Sequence, residues 1–74
     1  MKPNRRNKFV ELADKRVNRA IKDIRLVGNL SNKSNYSYTD QDVKKILSAL
    51  RNAVDDTKAR FDRNAGGSDG RFKL

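Results

Sequence analysis

The residues of this chain that could do chemistry are its lysines and arginines. When residues 8–27 are projected as a helix at about 100° per residue, one side gathers four cations: Lys8, Lys15, Arg19 and Lys22. Such a row can contact phosphate oxygens as point charges, which provides affinity without discriminating between bases. It predicts a phosphate-binding surface for DNA or RNA, to which we assign Arg5, Arg6, Lys8, Lys15, Arg16, Arg19 and Lys22. The alternative is an ordinary solvated face of a generally basic protein.

Catalytic and metal-binding chemistry has little support in the composition. The chain has no Cys and no His, which removes disulfides, thiolate nucleophiles, the commonest soft metal ligands and the usual general base near neutral pH. The sequence contains no Gly-rich phosphate loop, metal-ligand spacing or catalytic signature, and no carboxylates are placed as an acid/base pair. We therefore expect a protein that is not an enzyme and that uses no cofactor or metal.

The net charge favours an anionic partner. The chain has 18 Lys and Arg against 9 Asp and Glu, a formal net charge of +9 and a pI near 10.4. Residues 1–30 hold nine of the bases and three of the acids, so two thirds of the excess charge lies there. Because such an excess repels itself in the folded state, we expect it to serve a negatively charged ligand.

A first helix over residues 8–27 would position the cations, and its other side is apolar. The apolar residues are spaced alternately three and four apart, as in a helix that packs lengthwise on another helix: Val10, Ala13, Val17, Ala20, Ile24 and Val27. Gly28 stands where a left-handed residue commonly ends a helix. Residues 1–7 are predicted to be a flexible basic arm, because Pro3 disfavours helix at the residue before it.

A second helix is predicted over residues 40–63. Thr39 is a natural N-cap, with Asp42 at the third helical position. Tyr38, just before the cap, stands opposite Val43 in the placement of a hydrophobic staple. The apolar residues of this helix alternate in steps of four and three: Val43, Leu47, Leu50, Val54, Thr57 and Phe61. This apolar face complements that of the first helix.

The connection over residues 28–39 is rich in Asn, Ser and Tyr, which favour turns and make it long for a link between two helices. Tyrosine can stack on bases and asparagine can hydrogen-bond their edges. We assign base or partner recognition to four residues of the loop: Asn32, Lys33, Asn35 and Tyr36. Residues 64–74 are predicted to be a flexible Gly-rich tail, in which Phe72 and Leu74 could dock on a partner as an extended peptide.

Together these patterns predict an all-α fold with an antiparallel two-helix hairpin over residues 8–63. A lone hairpin buries each apolar face against one neighbour only. The free energy gained by this burial roughly equals the entropy cost of ordering the chain, so the net free energy of folding is near zero. We therefore expect either a homodimer that forms a four-helix bundle or a hairpin that is completed by another protein.

Two classes of function fit this architecture. The leading one is non-catalytic binding of DNA or RNA by a small basic protein. The alternative is a small adaptor or inhibitor that binds an acidic surface of a partner protein, where charge accelerates encounter and apolar margins hold the complex. Binding to an anionic membrane is less favoured, because the apolar face is rich in Ala and the chain has no Trp. With no membrane-spanning or signal-peptide segment, the expected location is the cytoplasm or the nucleoid.

Overall fold

The structure, a computed structural model, describes the backbone of residues 2–65 and the side chains of residues 4–64. Within this range the fold is all-helical, with three elements: α1 (Lys2–Gly28), a short 3-10 helix (Asn29–Ser31) and α2 (Asp40–Ala65). The predicted all-α class with two long helices is confirmed. The chain divides into two units, the first with α1 and the following turn up to Ser37, the second with α2 from Tyr38 onward.

The first helix begins earlier than the sequence pattern indicated. α1 already includes Lys2, so the prediction of a flexible arm over residues 1–7 is wrong. This segment is helical from residue 2 onward. Proline is tolerated in the first turn of a helix, because its missing N–H group has no intrahelical acceptor there and its fixed φ suits helical backbone. Pro3 is the second residue of α1 and lies in that turn. Because the helix begins at Lys2, Arg5 and Arg6 are helical and each occupies a defined side of α1.

The end of α1 also differs from the expectation. Gly28 has φ −61° and ψ −27°, which is right-handed helical backbone and not the left-handed cap conformation. The chain continues into the 3-10 helix Asn29–Ser31, after which the Asn32 N–H donates to the Asn29 carbonyl oxygen at 3.4 Å. Bonds of this i→i+3 type tighten the last turn and satisfy carbonyl groups that a left-handed cap would otherwise satisfy.

Replacing Gly28 by alanine should therefore stabilise α1. The backbone at this position is helical, and an added Cβ atom would meet nothing within 4 Å. Because alanine loses less conformational freedom than glycine on folding, the free energy of unfolding should rise by about 0.4–1 kcal/mol. Thermal unfolding followed by circular dichroism measures the change. A loss of stability in Gly28→Ala would instead indicate left-handed backbone there.

α2 begins with a reciprocal capping box. The Asp42 N–H donates to the Thr39 hydroxyl oxygen at 3.0 Å, and the Thr39 N–H donates to the Asp42 carboxylate at 2.9 Å. The Val43 N–H donates to the Thr39 carbonyl oxygen at 3.2 Å, which is the first backbone bond of the helix. The predicted N-cap is confirmed. Tyr38 is partly buried, and its staple contact with Val43 stays a prediction.

The capping box makes Thr39 the most sensitive position at the start of α2. Thr39→Ala removes the acceptor of the Asp42 N–H and should lower the free energy of unfolding by about 1 kcal/mol, within a range of roughly 0.5–2. Thr39→Ser keeps a hydroxyl acceptor and should stay close to the wild type. Helix content against temperature, measured by circular dichroism, compares the three proteins; equal losses in both variants would contradict the capping role.

α2 ends at Ala65, slightly beyond the predicted end. In its last turn the Asn64 carboxamide nitrogen donates to the Arg60 carbonyl oxygen at 2.9 Å. The rest of the predicted tail, with its docking residues Phe72 and Leu74, lies outside the described residues.

Burial is low throughout the described part of the chain. No side chain among residues 4–64 is buried, so this part has no hydrophobic core. Five residues are partly buried: Leu12, Ala13, Val27, Tyr38 and Leu50. The large exposed apolar side chains range from 36% exposure at Val43 to 62% at Val54. Helices in proteins obtain most of their stability from packing an apolar face. Each unit therefore has an apolar face that is left unburied by the unit itself.

Candidate nucleic-acid interface

A row of five cations lies along one side of α1. Because the helix begins at Lys2, Arg5 is helical and stands three residues before Lys8 on the same side. The row, which we call the cationic face, consists of Arg5, Lys8, Lys15, Arg19 and Lys22. These residues share a sector of about 100° and extend over about 26 Å, given a rise of about 1.5 Å per residue. All five are exposed. The face therefore brings together five of the seven residues that the sequence assigned to phosphate binding.

The other two assigned arginines lie elsewhere on α1. Arg16 projects at the margin between the cationic face and the apolar side. Arg6 is about 160° around the helix from Lys8 and projects with the apolar residues. Its guanidinium carbon lies 5.9 Å from the centroid of the Phe9 ring, which is a cation–π contact one turn apart. Arg6 therefore lies outside the row formed by the other cations, and its assignment to phosphate binding stays a prediction.

One member of the cationic face is paired with an acid. Lys15 Nζ lies 3.4 Å from Glu11 Oε2, and the two side chains are 70% and 59% exposed. An exposed i,i+4 pair of this kind stabilises a helix by only about 0.3–0.5 kcal/mol, so a phosphate can replace the carboxylate at little cost. Within residues 4–64, Arg19 forms no ion pair with the neighbouring Asp23. No other cation of the face is paired with a carboxylate in this range. Most of the face is thus available to an external anion.

The loop after α1 is organised around Asn32. Its carboxamide oxygen accepts the Ser34 N–H at 2.9 Å, and its carbonyl oxygen accepts the N–H groups of Asn35 at 3.1 Å and Tyr36 at 3.0 Å. A side-chain oxygen that binds the backbone two residues later forms an Asx turn. Asn32 was assigned to base recognition, whereas the structure gives its carboxamide oxygen a local structural role.

Sequence reasoning missed this role, although a signal was present. Residues 29–37 repeat the triplet Asn-Xaa-Ser three times. Asparagine followed two residues later by a polar residue is a common Asx-turn composition. The middle triplet is the one in which Asn32 and Ser34 form the turn. The repeat therefore points to a built turn rather than to a row of equivalent recognition residues.

Two assigned loop residues keep their side chains accessible. Tyr36 is 49% exposed, and Asn35 is exposed as well. Both are held through their backbone N–H groups by the Asn32 carbonyl oxygen, so the loop presents an aromatic ring beside a carboxamide. Lys33 lies in the same loop and is exposed. The side chains of Asn35 and Tyr36 can contact a ligand without breaking the backbone hydrogen bonds of the turn.

The polar side of α2 has a different character. Lys58 Nζ lies 2.8 Å from Asp62 Oδ2, and this hydrogen bond, with the charge of the carboxylate, raises the pKa of Lys58 above its ordinary value of 10.5. A shallow open groove runs along the first half of the helix and is lined by Gln41, Lys44, Lys45, Ser48, Ala49 and Asn52. The remaining cations of α2 are interspersed with acids along the second half of the helix, which is typical of a solvated face.

The described residues contain neither a metal-binding cluster nor a membrane-spanning helix. Residues 2–65 contain no group of three or more acidic side chains that could hold a metal ion. Neither helix in the described range has an apolar stretch long enough to cross a membrane. No protein-family model, curated protein or solved structure matches this chain.

Proposed function

We propose that this chain is a non-catalytic nucleic-acid-binding protein that holds a phosphate backbone against the cationic face of α1. The observation that supports this most is the alignment of five exposed cations along one side of a single helix. In the described residues only Lys15 of this face is paired with an acid, and that pair is exposed. The excess positive charge of the whole chain, +9, acts in the same direction.

The dimensions of the face suit a polyanion. A duplex carries one negative charge per about 1.7 Å of its axis, so about 26 Å of helix lies beside many more phosphates than the face has cations. Each cation that neutralises a phosphate releases condensed counterions, which provides affinity at low salt. Arginine can also bind a phosphate through two parallel N–H donors, which favours Arg5 and Arg19 as anchoring contacts.

The apolar faces support a proposal about assembly. We expect residues 8–63 to pack as an antiparallel hairpin and two copies to form a four-helix bundle, because burial of the apolar faces would stabilise helices that are otherwise marginal. In such a homodimer the cationic faces would remain in water on the outside, and the assembly would carry twice the +9 charge of one chain. Such a protein would act in the cytoplasm or on the nucleoid.

Fluorescence anisotropy at two salt concentrations tests the proposed function. The probes are duplex DNA, single-stranded RNA and structured RNA, each labelled at one end. We expect binding at about 50 mM salt that weakens by roughly 10²- to 10³-fold at about 200 mM, since five phosphate contacts give a logarithmic salt slope near −4.5. Indifference to all three probes at low salt would contradict the proposal.

The exposed apolar side chains support one alternative, an adaptor or inhibitor that binds an acidic protein surface. In that case charge complementarity would steer the encounter and the apolar residues would hold the complex. A pull-down from native lysate with and without nuclease separates the two proposals. Recovery of the same protein partner after nuclease treatment favours the adaptor, whereas loss of all partners favours nucleic-acid binding.

A further inference from the structure

The Asn35–Tyr36 segment and the cationic face belong to the same structural unit. α1 and the turn up to Ser37 form this unit, so a continuous helix and a hydrogen-bonded turn connect the two sites. The last cation of the face, Lys22, lies about 9 Å along the axis from the end of α1 at Gly28. The loop therefore stands just beyond one end of the cationic face.

The chemical character of the loop differs from that of the helix. Asp23 lies at the edge of the cationic face, and from there to Asp40 the sequence has no acid, so the last turn of α1 and the loop add no further negative charge. Tyr36 offers a half-exposed ring that can stack on a base. The exposed Asn35 carboxamide makes no hydrogen bond within the described residues and has both donors and an acceptor for a base edge.

The cationic face itself has no aromatic side chain on which a base could stack. Its five residues are lysines and arginines, and the nearby Phe9 ring lies on the apolar side in contact with Arg6. Single-strand binding relies on aromatic side chains along the path of the strand, whereas backbone contacts alone suit a duplex. The unit thus combines a phosphate-binding face suited to a paired stem with one stacking site at its end.

We infer that the ligand is an RNA stem–loop, with the stem backbone on the cationic face and an unpaired loop base stacked on Tyr36 and hydrogen-bonded by Asn35. This inference rests on the proposed nucleic-acid function and specifies its substrate class. Sequence-specific RNA recognition commonly targets unpaired bases in loops, where base edges are accessible. Asn32 acts as a positioning residue, because its oxygens hold the backbone of the segment that carries both contacts.

Tyrosine emission tests the stacking contact directly. The chain has two tyrosines and no tryptophan, so Tyr38→Phe leaves Tyr36 as the reporting fluorophore. The probes are an RNA hairpin with an eight-nucleotide loop of randomised sequence and the same stem closed as a blunt duplex. We expect the hairpin to quench Tyr36 emission and the duplex to leave it unchanged. No quenching by the hairpin, or equal quenching by both probes, would overturn the inference.

Affinity measurements test the roles of the two residues. Tyr36→Ala should weaken hairpin binding by about 5- to 150-fold, the range that loss of one stacked base produces, and should leave blunt-duplex binding unchanged. Asn32→Ala should weaken hairpin binding selectively, and Asn32→Ser, which retains a side-chain acceptor for a similar turn, should restore it. Equal losses on both probes, or no recovery with serine, would contradict the positioning role.

The outcomes separate this inference from the proposed function. If hairpin and duplex bind with equal affinity and Tyr36→Ala changes neither, the stem–loop inference fails while phosphate binding by α1 stands. If neither probe binds the wild type at low salt, the proposed function fails and the inference fails with it.

Discussion

Replacing Lys8, Arg19 and Lys22 together by glutamine should weaken nucleic-acid binding on the order of 10²-fold at about 100 mM salt. These three residues belong to the cationic face and have no acidic partner within residues 4–64. Glutamine has nearly the same helix propensity as lysine and arginine, so α1 should keep its helix content. Loss of three phosphate contacts should also reduce the logarithmic salt slope by about 2.7. Anisotropy titrations over a range of salt concentrations measure both quantities.

A matched triple variant on α2 provides the control for this prediction. Replacing Lys44, Lys45 and Arg51 by glutamine removes the same formal charge from the other long helix. If phosphate binding belongs to the cationic face of α1, this control should change the affinity only slightly and leave the salt slope intact. Equal losses in the two triple variants would show that binding follows total charge, which would contradict a defined face.

Introducing a carboxylate into either apolar face should disrupt assembly and helix content together. Ile24 is 45% exposed in α1 and Leu50 is partly buried in α2, and both lie in the rows spaced three and four apart. If these rows pack against other helices, Ile24→Asp or Leu50→Asp places a charge in an apolar contact and should cost several kcal/mol. We expect the dissociation constant of the homodimer to rise by about 10²-fold or more, measured by sedimentation equilibrium.

A residue near Ile24 in sequence, but on the opposite side of α1, supplies the control for the variants of the apolar faces. Leu26 is 54% exposed and lies about 160° around α1 from Ile24. Leu26→Asp should therefore leave self-association and helix content nearly unchanged. Helix content of the wild type should also rise with protein concentration. A concentration-independent circular dichroism spectrum, or equal effects of Ile24→Asp and Leu26→Asp, would contradict assembly through the apolar faces.

Local patterns in the chain were enough to predict several features of the structure. The three- and four-residue spacing of apolar side chains predicted both long helices, because a helix brings residues three and four apart onto one side. The reciprocal bonds of Thr39 and Asp42 followed from residue types at a fixed offset. Each of these features depends only on residues within one helical turn.

The cationic face could be predicted in part for the same reason. Lys8, Arg19 and Lys22 lie well inside α1, where the phase of the helix is set by many residues. Arg5 and Arg6 lie near its start, and their sides depend on where the helix begins. Once residues 2–7 continue the helix, Arg5 joins the cationic face and Arg6 turns toward Phe9. Sequence could not separate these adjacent arginines, because an arm has no defined face.

The sequence by itself determined the all-α class, the two amphipathic helices, the cap of α2 and the concentration of positive charge in the first half of the chain. Only the three-dimensional structure decided where α1 begins and that Gly28 has right-handed helical backbone. It also decided that the oxygens of Asn32 accept the backbone N–H groups that form the loop. The physical reason is the size of the competing terms. Helical periodicity sums over many residues, and the cap of α2 follows from a distinctive pair of residue types, whereas the ends of α1 and the loop depend on single hydrogen bonds whose free energies differ by about 1 kcal/mol.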